Sequence, residues 1–111
     1  MKGTHLGEFE ELVLLTIASL ADAAYSVAIC DELGKHTGRK CRLGVVHAVL
    51  NRLETKGYLK SRLGEPSPER GGRRKRFYEL TFAGKAALLK AKELRDTLWK
   101  TIPDIVFKGL I

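Results

Sequence analysis

A mainly α-helical chain with one small β-hairpin is what this sequence predicts, and three observations predict it. Apolar residues recur at helical spacing in four stretches. Between the third and the fourth, two short alternating runs flank a glycine pair, the pattern of a hairpin. The approach to the second run is strongly basic: five of the seven residues Arg70–Arg76 are Arg or Lys. With 111 residues and a formal net charge of +7, the chain can build one modest core and suits a polyanionic partner.

The first helix is expected over Leu6–Leu20. Glu8, Glu10 and Glu11 fall in its first turn, where the helix dipole favours carboxylates. Phe9, Leu12, Val13, Leu15, Thr16, Ile17 and Leu20 spread beyond one stripe, which predicts burial on two sides. One side serves the chain's own core and the other a partner chain. After a break at Ala21–Ala24, the second helix is expected over Tyr25–His36, with Tyr25, Ile29 and Leu33 on one face. Thr37-Gly38 ends it, glycine being favoured just past a helix C-terminus. Arg39–Arg42 is expected as extended chain able to form a short edge strand.

The third helix, Leu43–Lys56, turns Val46, Leu50 and Leu53 inward and is closed by Gly57. Its other face carries Val45, His47, Ala48, Asn51 and Arg52. Small and hydrogen-bonding side chains there suit close approach to base edges and phosphates. Strands at Tyr58–Leu63 and Lys75–Leu80 enclose the basic tip, where Gly71-Gly72 supplies the turn. Thr81 is a good N-cap for a fourth helix, Phe82–Ile102, which Pro103 breaks. So long a helix exceeds what this core needs. Ala87, Ala91, Leu94, Leu98 and Ile102 form a 3/4 seam, and the tail adds Ile105, Val106, Phe107, Leu110 and Ile111. A monomer would expose that surface, so a homodimer is expected.

Together these elements make a winged helix-turn-helix at residues 1–81, followed by a C-terminal dimerisation helix and apolar tail at 82–111. In that geometry the third helix enters the major groove of double-stranded DNA and the hairpin follows the backbone or the minor groove. The expected recognition-helix contacts are Arg42, Gly44, Val45, His47, Ala48, Asn51 and Arg52. The wing contributes Arg70, Arg73, Arg74, Lys75 and Arg76. The dimer interface is expected at Phe9, Val13, Ile17, Ala87, Ala91, Leu94, Leu98, Trp99 and Ile102.

Other classes fit less well. No nucleophile–base pairing and no phosphate-binding glycine loop points to an enzyme or to a cofactor. Cys30, His36 and Cys41 have metal-ligand chemistry, but their spacing matches no recognised site and a fourth ligand is missing. Two cysteines are too few for a disulfide framework and are expected reduced. The N-terminus lacks a signal-peptide core, and no apolar run approaches a membrane span, so a cytoplasmic protein is expected. Single-stranded nucleic acid would call for several stacking aromatics, and only Phe77 offers itself. A winged-helix module that binds an acidic protein partner through its basic wing is the alternative. Its third helix should then carry large apolar anchors, which Ala48, Asn51 and Arg52 are not.

Four segments resemble the PadR family of bacterial transcriptional regulators. They are L-G-E-F-E-E-L-V-L-L, A-Y-S-V-A-I, L-G-V-V-H-A-V-L-N-R-L-E-T-K-G-Y-L and, most specific, G-E-P-S-P-E-R-G-G-R-R-K-R-F-Y-E-L-T-F-A-G. The resemblance covers about Leu6–Leu89, and the single C-terminal helix resembles the smaller subfamily. It implies a repressor that dimerises through that helix and releases DNA on binding a small aromatic or amphipathic ligand. Trp99, beside the seam, is the candidate lining of such a pocket. Two positions depart from the family pattern. His47 stands where a DNA-touching Tyr is usual, with shorter reach and a charge able to titrate, and Ser26 replaces a usual Gly.

Overall fold

The computed structural model describes residues 6–66 and 71–110. Three helices, α1 (Glu8–Leu20), α2 (Ser26–Thr37) and α3 (Leu43–Thr55), are followed by an antiparallel hairpin, β1 (Leu59–Pro66) and β2 (Arg74–Leu80). A long helix, α4 (Phe82–Lys100), and a short 3-10 turn at Asp104–Phe107 complete the chain. The element order is that of a winged helix-turn-helix with an added C-terminal helix.

The core lies where α1, α2 and α3 meet the base of the hairpin. Val13, Leu14 and Ile17 of α1, Ile29 and Leu33 of α2, and Val46, Val49, Leu50 and Leu53 of α3 are buried together with Tyr58, Leu59 and Leu80. The termini of α2 and α3 follow from local chemistry. Gly38 sits at φ 71° and its N–H closes on the Gly34 carbonyl at 2.9 Å, the left-handed end that glycine accepts without steric penalty. Gly57, at φ 84°, turns the chain from α3 into β1.

The strand register pairs Leu59 with Leu80 and Leu63 with Arg76, then shifts at a bulge before Pro66 pairs with Arg74. Gly64 lies in that bulge under the Phe77 ring, and a Cβ there would come within 2.6 Å of it. A third edge is added at the base of the wing: Tyr25 bridges Phe77, and the Tyr78 N–H donates to the Ala24 carbonyl at 2.8 Å. This corrects the expectation of an edge strand at Arg39–Arg42, which is irregular chain between α2 and α3. The pairing segment is instead the two residues that follow the turn at Ala21–Ala23.

The joint between wing and α4 is equally defined. Thr81 Oγ1 donates to the Gly57 carbonyl at 2.6 Å and accepts from the Gly84 N–H at 3.0 Å. The first turn of α4 is thereby clamped onto the α3–β1 turn. Farther on, Ala87 and Leu88 pack on the core, and Arg95 pairs with Glu11 of α1 at 2.7 Å. The remainder of α4 projects outward. The radius of gyration is 16.7 Å, against roughly 13 Å for a compact chain of this length.

Two interface expectations need correction. Val13 and Ile17 are 0% and 1% exposed in the chain's own core, so they offer no surface to a partner. By contrast, Leu94 and Leu98 on the projecting helix are 62% and 58% exposed. Trp99 stacks on Phe107 of the tail, ring centroids 5.8 Å apart. The helix ends at Lys100, two residues short of the expected Ile102.

The clamp at Gly84 generates a stability prediction. Alanine favours a helix over glycine by about 1 kcal/mol. At this position, however, a Cβ would lie 2.1 Å from the Tyr58 carbonyl oxygen, and overpacking costs about 1–3 kcal/mol. Overpacking should win, so Gly84→Ala is expected to lower the urea midpoint and lose about 1–2 kcal/mol. A variant as stable as the parent would mean that α4 does not sit on Tyr58.

Candidate nucleic-acid interface

The α3 helix buries Val46, Val49, Leu50 and Leu53 and leaves Gly44, Val45, His47, Ala48 and Asn51 exposed. These side chains are short or carry hydrogen-bonding groups, so a flat polar surface can come close to the helix backbone. Leu43 and Thr55 lie exposed at its two ends. Arg42, at the N-cap, has extended backbone and accepts from the Val45 and Val46 N–H groups at 3.1 Å. Arg39 and Lys40 are exposed just before it, which adds positive charge beside the start of α3.

Arg52 is differently placed. Its Nε–H donates to Glu10 Oε2 of α1 at 2.8 Å, and Lys56 Nζ donates to both Glu10 oxygens at 2.8 and 2.9 Å. The Gly7 N–H donates to the same carboxylate at 2.9 Å. Glu10 is a buried charge, paired by Arg52 of α3 and by Lys56 at the C-cap of α3. Burial pushes its carboxyl up, but the bonds from Lys56, Gly7 and Arg52 more than reverse this and hold the pKa at about 2. Sequence reasoning placed Glu10 only as a first-turn acid. Its partners lie 42 and 46 residues away, beyond any local signal.

The wing charges divide into two groups. Gly71 and Gly72 take φ 64° and 83° at the tip, and Arg73 and Arg74 are exposed next to them. Arg74 Nε–H donates to the Gly64 carbonyl at 2.7 Å, which stiffens the arm. Nearer the base, the Lys75 ammonium lies 4.1 Å from the centre of the Tyr25 ring. Arg76 donates to Ser61 Oγ at 3.0 Å, and Ser61 donates to Glu54 at 2.8 Å. Arg62, which the sequence reading passed over, stands exposed above the Phe77 ring at 5.1 Å. Arg70 lies outside the described residues.

Among the described residues no three His, Cys, Asp or Glu side chains gather to hold a metal ion. His36 pairs with Glu32 at 2.8 Å. Burial, with a hydrogen bond to Cys41 and that neighbour's charge, pushes the Cys30 thiol up to about 12, the state of an unreactive core cysteine.

A helix with an exposed face of mostly small and hydrogen-bonding side chains, a cationic hairpin fixed beside it and a core holding both is the geometry of a duplex reader. The model of the transcriptional regulator PadR-like family matches residues 14–90. The chain belongs to the PadR-like family. No curated protein matches it. Among solved structures, it is similar to a PadR-like transcriptional regulator from Bacillus cereus, at 20% identity and TM-score 0.72, covering 91% of this chain and 92% of that one. A PadR family regulator from Clostridium difficile matches at 22% identity and TM-score 0.66, over 84% and 93% of the two chains. A structure described as the complex of hsRosR-S1 matches at 26% identity and TM-score 0.67, over 95% and 84%. Membership of the PadR-like family makes the chain a DNA-binding transcriptional regulator and not an enzyme. No helix among the described residues is long and apolar enough to cross a membrane.

The buried carboxylate predicts an acid-side instability in this PadR-like chain. Its folded pKa lies below the unfolded value of 4.5. The stabilisation is therefore present above pH 4.5 and is lost as pH falls toward 2. Its full size is about 3 kcal/mol, at ~1.4 kcal/mol per unit. Between about pH 6 and pH 3, urea unfolding should take about 2 kcal/mol more from the wild type than from Glu10→Gln. Equal losses would mean that the carboxylate is not held.

Proposed function

We propose that the chain is a repressor that binds a pseudo-palindromic operator as a homodimer in the cytoplasm. Residues 1–81 are the DNA-binding unit, and residues 82–111 are the dimerisation unit. Gly44, Val45, His47, Ala48 and Asn51 meet base edges in the major groove. Arg42, Arg73 and Arg74 contact phosphates, Arg52 lies at the edge of that surface, and Arg70 adds a further positive charge to the basic run. Lys75 and Arg76 act from the wing base, chiefly by holding it in position.

The observation that carries the reading is the pairing of two surfaces on one rigid frame. An exposed helix face of mostly small and hydrogen-bonding side chains lies beside basic groups at one end of the chain. Exposed apolar side chains of α4, Leu94, Leu98 and Trp99, stand at the other, where Trp99 also meets the Phe107 ring. Single exposed apolar residues are ordinary, but a contiguous set on a projecting helix is the surface of a partner contact. Ala87, Ala91, Leu94, Leu98, Trp99 and Ile102, with Phe9 of α1, form that contact between two copies.

Two copies joined there present two copies of α3. Their separation follows from the crossing of the two α4 helices. Planar aromatic or amphipathic ligands enter beside Trp99, where Phe107, Ile102 and Pro103 line an open recess. Such a ligand changes DNA affinity only if it binds one separation of the two halves better than the other. Quenching of Trp99, the single tryptophan, in step with that change reports it.

The dimer is tested by Leu94→Glu with Leu98→Glu. Both side chains are exposed in the single chain, so the fold itself should survive. Sedimentation is expected to move from dimer to monomer. DNA affinity should fall ~100-fold, because the second half-site is no longer tethered to the first. A double variant that remains a dimer with unchanged affinity would remove α4 from the interface.

A further inference from the structure

We propose that Glu10 is a positioning residue for DNA recognition: it orients Arg52 on α3 and withholds part of that side chain's charge from non-specific contact with phosphates. The inference rests on the reading of α3 as the recognition helix.

Glu10 belongs to α1, is buried and cannot itself meet the duplex. Its carboxylate is shared unequally by two cations, Arg52 on α3 and Lys56 at the C-cap of that helix. Lys56 contacts both oxygens and has only 13% of its side chain exposed, whereas Arg52 contacts one oxygen and keeps 53% exposed. Lys56 thus meets the need for a counter-charge. Arg52 is the additional partner, tied at Nε with half its side chain in solvent. A guanidinium held at Nε is planar and fixed, so whatever it touches beyond α3 must come to a set direction. Local charge matters as well. Glu10, Arg52 and Lys56 sum to one positive charge, and neutral Glu10 would leave two. A freed arginine next to a phosphate backbone adds affinity on every sequence, and such affinity carries no base information.

This arrangement goes beyond a structural ion pair in one checkable respect. A pair that only fastened α1 to α3 would change stability and leave salt dependence and sequence preference alone. A pair that restrains Arg52 must change both.

The probes are a duplex selected by the wild-type chain from a random library and an unselected duplex of equal length. Binding is measured across a salt series at a temperature where each variant is folded. Glu10→Gln keeps the shape and removes the charge. It is expected to tighten binding to the unselected duplex and to steepen the slope of log K against log salt by about 0.9, one more phosphate contact. The affinity ratio between the two duplexes should fall ~10-fold, as for one lost directional contact. A folded Glu10→Gln with the wild-type slope and ratio overturns the inference. Should Glu10→Gln not fold, Arg52→Lys decides, since that exposed position tolerates exchange. It keeps the charge and loses the fixed fork. An unchanged slope with the ratio down ~10-fold supports the inference, and an unchanged ratio overturns it. A selection by the wild-type chain that enriches no sequence removes the underlying reading, and with it the inference, before any variant is made.

Discussion

The placement of α3 against α1 is tied to one buried carboxylate. A charge taken out of water must be paired or neutralised, and Glu10 is paired by Arg52 on α3 and by Lys56 at its C-cap. Directed bonds of 2.8–2.9 Å add a fixed register to the apolar packing of α1 on α3. The hairpin is fixed by backbone bonds of the same kind, from Tyr78 to Ala24 and from Thr81 to Tyr58. Helix and wing therefore keep one mutual geometry, as a rigid double helix requires of anything that touches its groove and its backbone at once.

The other end of the chain obeys a different constraint. Beyond Ala91 the fourth helix leaves the core, and its apolar side chains meet few others of the same chain. Burial is worth roughly 25 cal/mol per Å² of apolar surface, so side chains as large as Leu98 and Trp99 gain most from a second copy. The Trp99–Phe107 stack covers one face of each ring and leaves Trp99 62% exposed. On the proposed reading, DNA recognition at one end and self-association at the other do not compete for the same residues.

Much of the fold was legible because its signals are local. Helical spacing marks α1 to α4, and Gly38, Gly57 and Gly71-Gly72 mark the turns with positive φ. Thr81 was legible as a cap because a hydroxyl before a helix meets its own backbone. The failures concern relations between distant residues. A two-residue bridge at Ala24–Tyr25 has no periodicity to detect, whereas Arg39–Arg42 looked extended and stayed irregular. The apolar breadth of α1 could not reveal that Val13 and Ile17 face inward. The basic run of the wing hid a division of labour, since Lys75 meets the Tyr25 ring and Arg76 meets Ser61. Glu10 was invisible as a joint, because its meaning lies in the residues across from it.

On the proposed reading, two copies of α3 address one duplex from one face, with a wing beside each. Hydroxyl-radical footprinting of the full-length chain on a selected duplex tests it most directly. The account expects two protected patches related by a two-fold axis, separated by about one helical turn or a multiple of it, with ~10 bp per turn. Each patch should have a flanking backbone protection that Arg73→Ala with Arg74→Ala removes. A single patch without symmetry, or flanking protection indifferent to those two arginines, would contradict it.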